Sequence, residues 1–68
     1  MQILTVLNAD RTDLTDEDAR TITTDLHNLG IRATALTTET MELDVIVSRD
    51  TDTGLAAHLL NKWGFDVL

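Results

Sequence analysis

Twice in 68 residues the chain runs through the same succession: an apolar stretch, an acid-rich polar loop, an amphipathic segment, a glycine followed by a large apolar residue, and another apolar stretch. In the first pass these are Ile3 to Leu7, Asn8 to Leu14, Thr15 to Leu29, Gly30-Ile31 and the run to Thr37. In the second they are Glu42 to Ser48, Arg49 to Thr53, a segment ending at Trp63, Gly64-Phe65 and the remainder to Leu68. A pattern of this kind restricts the chain to two β-α-β units, because each amphipathic segment has one apolar stripe that only a sheet or another helix can cover.

The segment from Thr15 is the most legible helix. Ala19, Ile22, Leu26 and Leu29 recur at helical spacing, and Asp16, Glu17 and Asp18 crowd its first turn, where a carboxylate gains about 0.3 to 1 kcal/mol from the helix dipole. Thr15 is placed to cap it, with Asp18 in the reciprocal position of a capping box. Gly30 then ends it through a left-handed conformation, with Ile31 closing over the last turn. In the second unit Asp50 or Thr51 caps a helix whose apolar face is Leu55, Ala56, Leu59, Leu60 and Trp63, and Gly64-Phe65 repeats the stop.

The strands differ from one another. Ile3 to Leu7 is apolar on both faces apart from Thr5, as a central strand requires. Ile31 to Thr37 is thinner and suits a sheet edge, Thr37 to Thr40 is a short polar hairpin connection, and Glu42 to Ser48 puts Leu43, Val45 and Val47 on one side. Helix and strand lengths agree at about 20 Å.

With right-handed crossovers, the two units interleave most simply into an α+β, ferredoxin-like βαββαβ sandwich: one domain over residues 1–68, a four-stranded antiparallel sheet with two helices on one face. Leu4 and Val6 then join Leu43, Val45 and Val47 beneath the helices. The open face carries Ile3, Leu7 and Ile46 among Thr5, Asp44 and Ser48, which makes Ile3, Thr5, Leu7 and Ile46 candidate interface residues for a second subunit or a protein partner.

Composition narrows the function. Five basic residues against twelve acidic ones give a net charge of -7, which opposes direct contact with nucleic acid or an anionic membrane. Mimicry of nucleic acid toward a basic groove is compatible with the same number. Asp13, Asp16, Glu17 and Asp18 are the candidate residues for such a contact. With no cysteine to form a disulfide, a domain this small is expected to gain burial by association, as a homo-oligomer or with a protein partner. No apolar run approaches the roughly 20 residues of a membrane span, and no secretory leader begins the chain, so a soluble cytoplasmic protein is expected. Abundant threonine and aspartate with Lys62 as the one lysine is a bias found in halophiles, high-GC bacteria and their phages.

No reaction chemistry is expected. Asp50-Thr51-Asp52-Thr53 has the Asp-x-Asp beginning of a phosphatase nucleophile loop, but Gly54 stands at its fifth position, and helix capping accounts for both acids. The same acids lack the glycine and closing glutamate of a calcium loop. His27 and His58 lie on separate helices with no second ligand at i+4, so neither a metal nor another cofactor is expected. Two aromatic residues, Trp63 and Phe65, are too few for single-strand nucleic-acid stacking.

Several features together resemble a known family. Asp10-Arg11 after the first strand, Ala19-Arg20, Leu29-Gly30-Ile31, the Leu43 to Val47 strand, Ala56-Ala57-His58-Leu59-Leu60 and Gly64-Phe65 are similar to the pattern of ACT domains. These are small βαββαβ regulatory modules that bind amino acids and related effectors, usually as pairs. The resemblance implies a non-catalytic regulatory module with a small-molecule effector site at Asp10, Arg11, Thr12 and Asp13. Family members follow Asp-Arg with Pro-Gly, whereas this chain has Thr12-Asp13, and the nearby acids would repel an amino-acid carboxylate. A small acidic accessory or phage protein that modulates a larger partner is the alternative expectation.

Overall fold

A computed structural model describes residues 1–39 and 41–68 of the chain; Thr40, which the sequence reading places in the hairpin connection, lies outside the described residues. The fold is α+β. In chain order it comprises β1 (Gln2–Asn8), α1 (Asp16–Asn28), β2 (Ala33–Glu39), β3 (Glu42–Val47), a short 3-10 turn (Asp50–Asp52), α2 (Thr53–Lys62) and β4 (Phe65–Val67). The strands form one sheet in the order β2-β3-β1-β4, with every neighbouring pair antiparallel.

Register sorts the side chains between the two sheet faces. Leu4 pairs with Val45 and Val6 with both Leu43 and Val67, while Ala33 and Ala35 pair with Val47 and Val45. Since strand side chains alternate, this set shares one face. Together with Ala19, Ile22 and Leu26 of α1 and Ala56 and Leu60 of α2 it makes a single apolar core, against which Leu59, Trp63 and Phe65 pack in part.

The helix ends follow from local chemistry. Thr15 accepts the Asp18 N–H on its hydroxyl at 3.3 Å and donates its own N–H to the Asp18 carboxylate at 2.9 Å, completing the capping box. At the far end Gly30 takes φ 82°, and the N–H groups of Gly30 and Ile31 return to the carbonyls of His27 and Leu26 at 2.9 and 3.0 Å. That pair of bonds is a Schellman motif, and it puts buried Ile31 against buried Leu26. Gly64, at φ 96°, repeats the turn after α2, its N–H bonding the Asn61 carbonyl at 3.2 Å.

Four details depart from the sequence reading. Leu14, assigned there to a surface loop, is 4 % exposed; as the residue before the cap it covers Ala19 at the fourth helical position, the hydrophobic staple of α1. Leu29 and Leu55, assigned to the apolar faces of the helices, are exposed: Leu29 is the C-cap, one residue past the end of α1, and Leu55 lies about 100° around α2 from its buried neighbour Ala56. Neither Asp50 nor Thr51 caps α2: the chain enters it through the 3-10 turn without a side-chain cap, and Thr53 Oγ1 is buried with no partner among the described residues. Finally, β2 continues through Glu39, with a register shift between Thr37 and Glu39. Among the described residues no helix is long and apolar enough to cross a membrane.

Candidate functional site

The candidate residues fall on two surfaces. One is the acidic end, where β1 leads into α1 and β2 leads into β3. The other is the sheet face away from the helices.

At the acidic end, the loop after β1 is tied to itself. The Arg11 N–H bonds the Asn8 carbonyl at 3.0 Å and closes a turn in which Arg11 adopts φ 62°. A non-glycine residue there costs about 1–2 kcal/mol. The Arg11 guanidinium offsets that cost by bonding the Asn8 carbonyl at 3.0 Å and the Asp66 carboxylate of β4 at 2.6 Å. Asn8 donates to the Thr12 hydroxyl at 2.9 Å, and that hydroxyl donates in turn to Asp10 at 2.7 Å. The Thr12 N–H reaches the same carboxylate oxygen at 3.1 Å. The bond from the Thr12 hydroxyl, reinforced by that from its N–H, holds the Asp10 carboxyl below its ordinary pKa. Asp10, Arg11 and Thr12 are therefore adjacent, but Asp10 and Thr12 bond each other and Arg11 is spent on Asn8 and Asp66.

The four neighbouring acids divide in two. Asp18 is engaged in the capping box, and Asp16 accepts the Thr37 hydroxyl of β2 at 2.7 Å, which pins the end of that strand to the start of α1. Asp13 and Glu17 are exposed and make no hydrogen bond or ion pair among the described residues. Between the start of α1 and the end of β2 lies an open groove of about 420 Å³, lined by Leu14, Thr15, Asp16, Thr37, Thr38 and Glu39. Among the described residues no three acidic or histidine side chains converge to hold a metal ion.

The second surface is set by register. Ile3 lies opposite Ile46, Thr5 opposite Asp44, and Leu7 opposite Asp66. Across β3, Ile46 also faces Thr34, and Asp44 faces Leu36. Ile3 is 57 % and Leu36 49 % exposed, with Thr5, Leu7 and Ile46 half-buried, so four large aliphatic side chains share a face no helix covers. Leu36 of β2, which the sequence reading does not include among the candidate interface residues, stands beside the three aliphatic residues of the face. The ion pair between Arg11 and Asp66 had no local signal, the two being 55 positions apart.

The outer edge of β2 is closed by α1. The Thr23 hydroxyl accepts the Ala35 N–H at 2.9 Å and donates to the Ala19 carbonyl at 2.9 Å. His27 Nε2 lies 2.9 Å from the Ala33 carbonyl, which can only accept, so this ring nitrogen carries the proton. Strand addition at this edge is thereby obstructed. A second depression of about 520 Å³ lies beside it, with His27, Arg32, Thr34 and Ser48 on its walls. Comparison of the chain with protein-family models, with curated proteins and with solved structures returns no match.

Proposed function

We propose that the chain is a non-catalytic binding module of ferredoxin-like topology, similar to ACT domains, that contacts a protein partner through its open sheet face. One observation carries this reading: Ile3, Leu7, Leu36 and Ile46 share a sheet face that no helix among the described residues covers, while the outer edge of β2 is blocked by Thr23 and His27. Aliphatic side chains gathered on one face mark an interaction surface more often than an accident of composition. The effector reading of Asp10, Arg11, Thr12 and Asp13 is the weaker one, because Asp10 and Thr12 already satisfy each other.

A second reading is favoured by Asp13 and Glu17, exposed at the same end as Glu39 and Glu42. In it the chain is a small acidic accessory protein whose carboxylates occupy a basic groove on a larger partner.

The experiment is an amide NMR titration of the isotope-labelled chain against the macromolecular and the small-molecule fractions of its source cells. The sheet-face reading expects perturbation of Ile3, Thr5, Leu7, Leu36 and Ile46 by the macromolecular fraction. Perturbation confined to Asp10 through Asp13 by small molecules overturns it in favour of an effector site. Effects confined to Asp13 and Glu17 that vanish with added salt select the acidic accessory reading.

A further inference from the structure

Resting on the sheet-face reading above, we infer that the occupant of that face is a second copy of this chain, packed face to face about a two-fold axis lying across the strands. Charge placement selects the occupant. At one end of the face, Glu39 sits directly opposite Glu42 across the β2–β3 ladder, with Asp44 next on the same side of β3. Like charges in directly opposed positions repel, and nothing among the described residues bridges these two.

At the other end of the face stands Arg32. Its carbonyl accepts the Ser48 N–H at 2.9 Å, which continues the β2–β3 ladder and puts Arg32 on the same side as Thr34 and Leu36. Arg32 is exposed and makes no ion pair among the described residues. The face thus has Glu39, Glu42 and the Arg11–Asp66 ion pair at one end, unpaired Arg32 at the other, and aliphatic residues with Asp44 between them.

Such a face is complementary to itself in one sense only. An axis running along the strands would keep Arg32 of each copy at the end away from the other copy's acids. An axis across them sets Arg32 of each copy over Glu39, Glu42 and Asp44 of the other, with Ile3 and Ile46 of both copies near the axis. The contact is isologous, so each ion pair occurs twice. A uniformly basic partner would satisfy the glutamates but would meet Arg32 with like charge.

Size sets the strength. A seven-residue strand is about 23 Å long and four strands are about 19 Å wide, a footprint of about 400 Å² per copy. The two footprints together, about 800 Å², fall below the roughly 1,200 Å² of stable specific interfaces, so the pair should be a weak one in which monomer and dimer exchange.

The test is sedimentation velocity on the purified full chain, from about 1 μM to about 1 mM, in low salt. The wild type should pass from monomer to dimer across this range. Arg32→Glu and Glu42→Arg should each weaken association by about tenfold, because each alters two symmetric pairs. The double variant should recover to within about threefold of wild type, since the pairs are reversed rather than removed. Ile46→Glu, checked for folding by circular dichroism, should leave only monomer.

A wild type that stays monomeric to 1 mM overturns the inference, as does a double variant no better than the singles. If the purified chain is monomeric but its sheet-face amides still respond to the macromolecular fraction, this inference fails and the broader reading stands. If they do not respond either, both fail.

Discussion

The hydroxyl of Thr23, midway along α1, accepts the outward-pointing N–H of Ala35 in β2 at 2.9 Å. A helix side chain thereby supplies what a further strand would otherwise supply, and the sheet ends at β2. Thr23→Val keeps the shape but removes the acceptor, leaving the Ala35 N–H without its partner. The variant should lose about 1–3 kcal/mol in urea unfolding, a cost set by the orphaned donor. It should also show faster amide exchange at Ala35 than at Leu36, whose N–H faces β3.

Leu14 supplies the second prediction. It stands in a run of polar residues yet is buried, covering Ala19 in the first turn of α1. Leu14→Ala should destabilise the chain by about 2–4 kcal/mol, as a core truncation does, while Leu29→Ala, at an exposed helix end, should change it by less than about 0.5 kcal/mol. Thermal unfolding of the two variants side by side measures the contrast.

The acids at the start of α1 should separate in the same assay. Asp18→Ala removes the acceptor of the Thr15 N–H, and Asp16→Ala removes that of the Thr37 hydroxyl. Each should cost about 0.5–1 kcal/mol. Asp13→Ala and Glu17→Ala should leave stability within about 0.5 kcal/mol of wild type. Losses in the last two as large as in the first would mean that the division drawn among these carboxylates is wrong.

Asp10 gives the pH dependence. Its folded-state pKa is lowered, chiefly by the Thr12 hydroxyl, so the folded loop favours the carboxylate. Its contribution is complete above the unfolded value of about 4 and is lost as pH falls through the lower folded value. Side-chain carboxyl NMR should therefore report a titration below the ordinary aspartate range. Thr12→Val should move it upward, and the exchange protection of the Thr12 N–H should fall in the same acidic window.

What could be read from the sequence was whatever is encoded locally. The Thr15 and Asp18 capping box spans four residues, the glycine stops at Gly30 and Gly64 span two, and strand alternation put Val6, Leu43, Val45 and Val47 opposite Ile3, Leu7 and Ile46 before any register was known. What escaped depends on contacts between distant segments. Leu14 is a lone apolar residue with no period to reveal it, Leu29 keeps the helical period one residue past the end of α1, and Leu55 lies beside the face that Ala56 and Leu60 bury. Thr23 and His27 gain their roles only because β2 lies beside α1. The left-handed Arg11 occupies a conformation that glycine or asparagine ordinarily announces, and Asp66, which helps hold it there, arrives more than fifty residues later.

The placement of β1 carries a consequence for how the molecule comes into being. β1 pairs on one side with residues Leu43 to Val47 and on the other with Phe65 to Val67, so both of its ladders join it to segments far along the chain. Meanwhile α1, β2 and β3 are neighbours in sequence and close with short loops. In refolding followed by pulsed hydrogen exchange, amides of α1 and of the β2–β3 ladder should become protected before those that β1 donates to β4. Until then Ile3, Leu4, Val6 and Leu7 lack their native strand partners, and this apolar segment is where a chaperone or a second unfolded chain would bind.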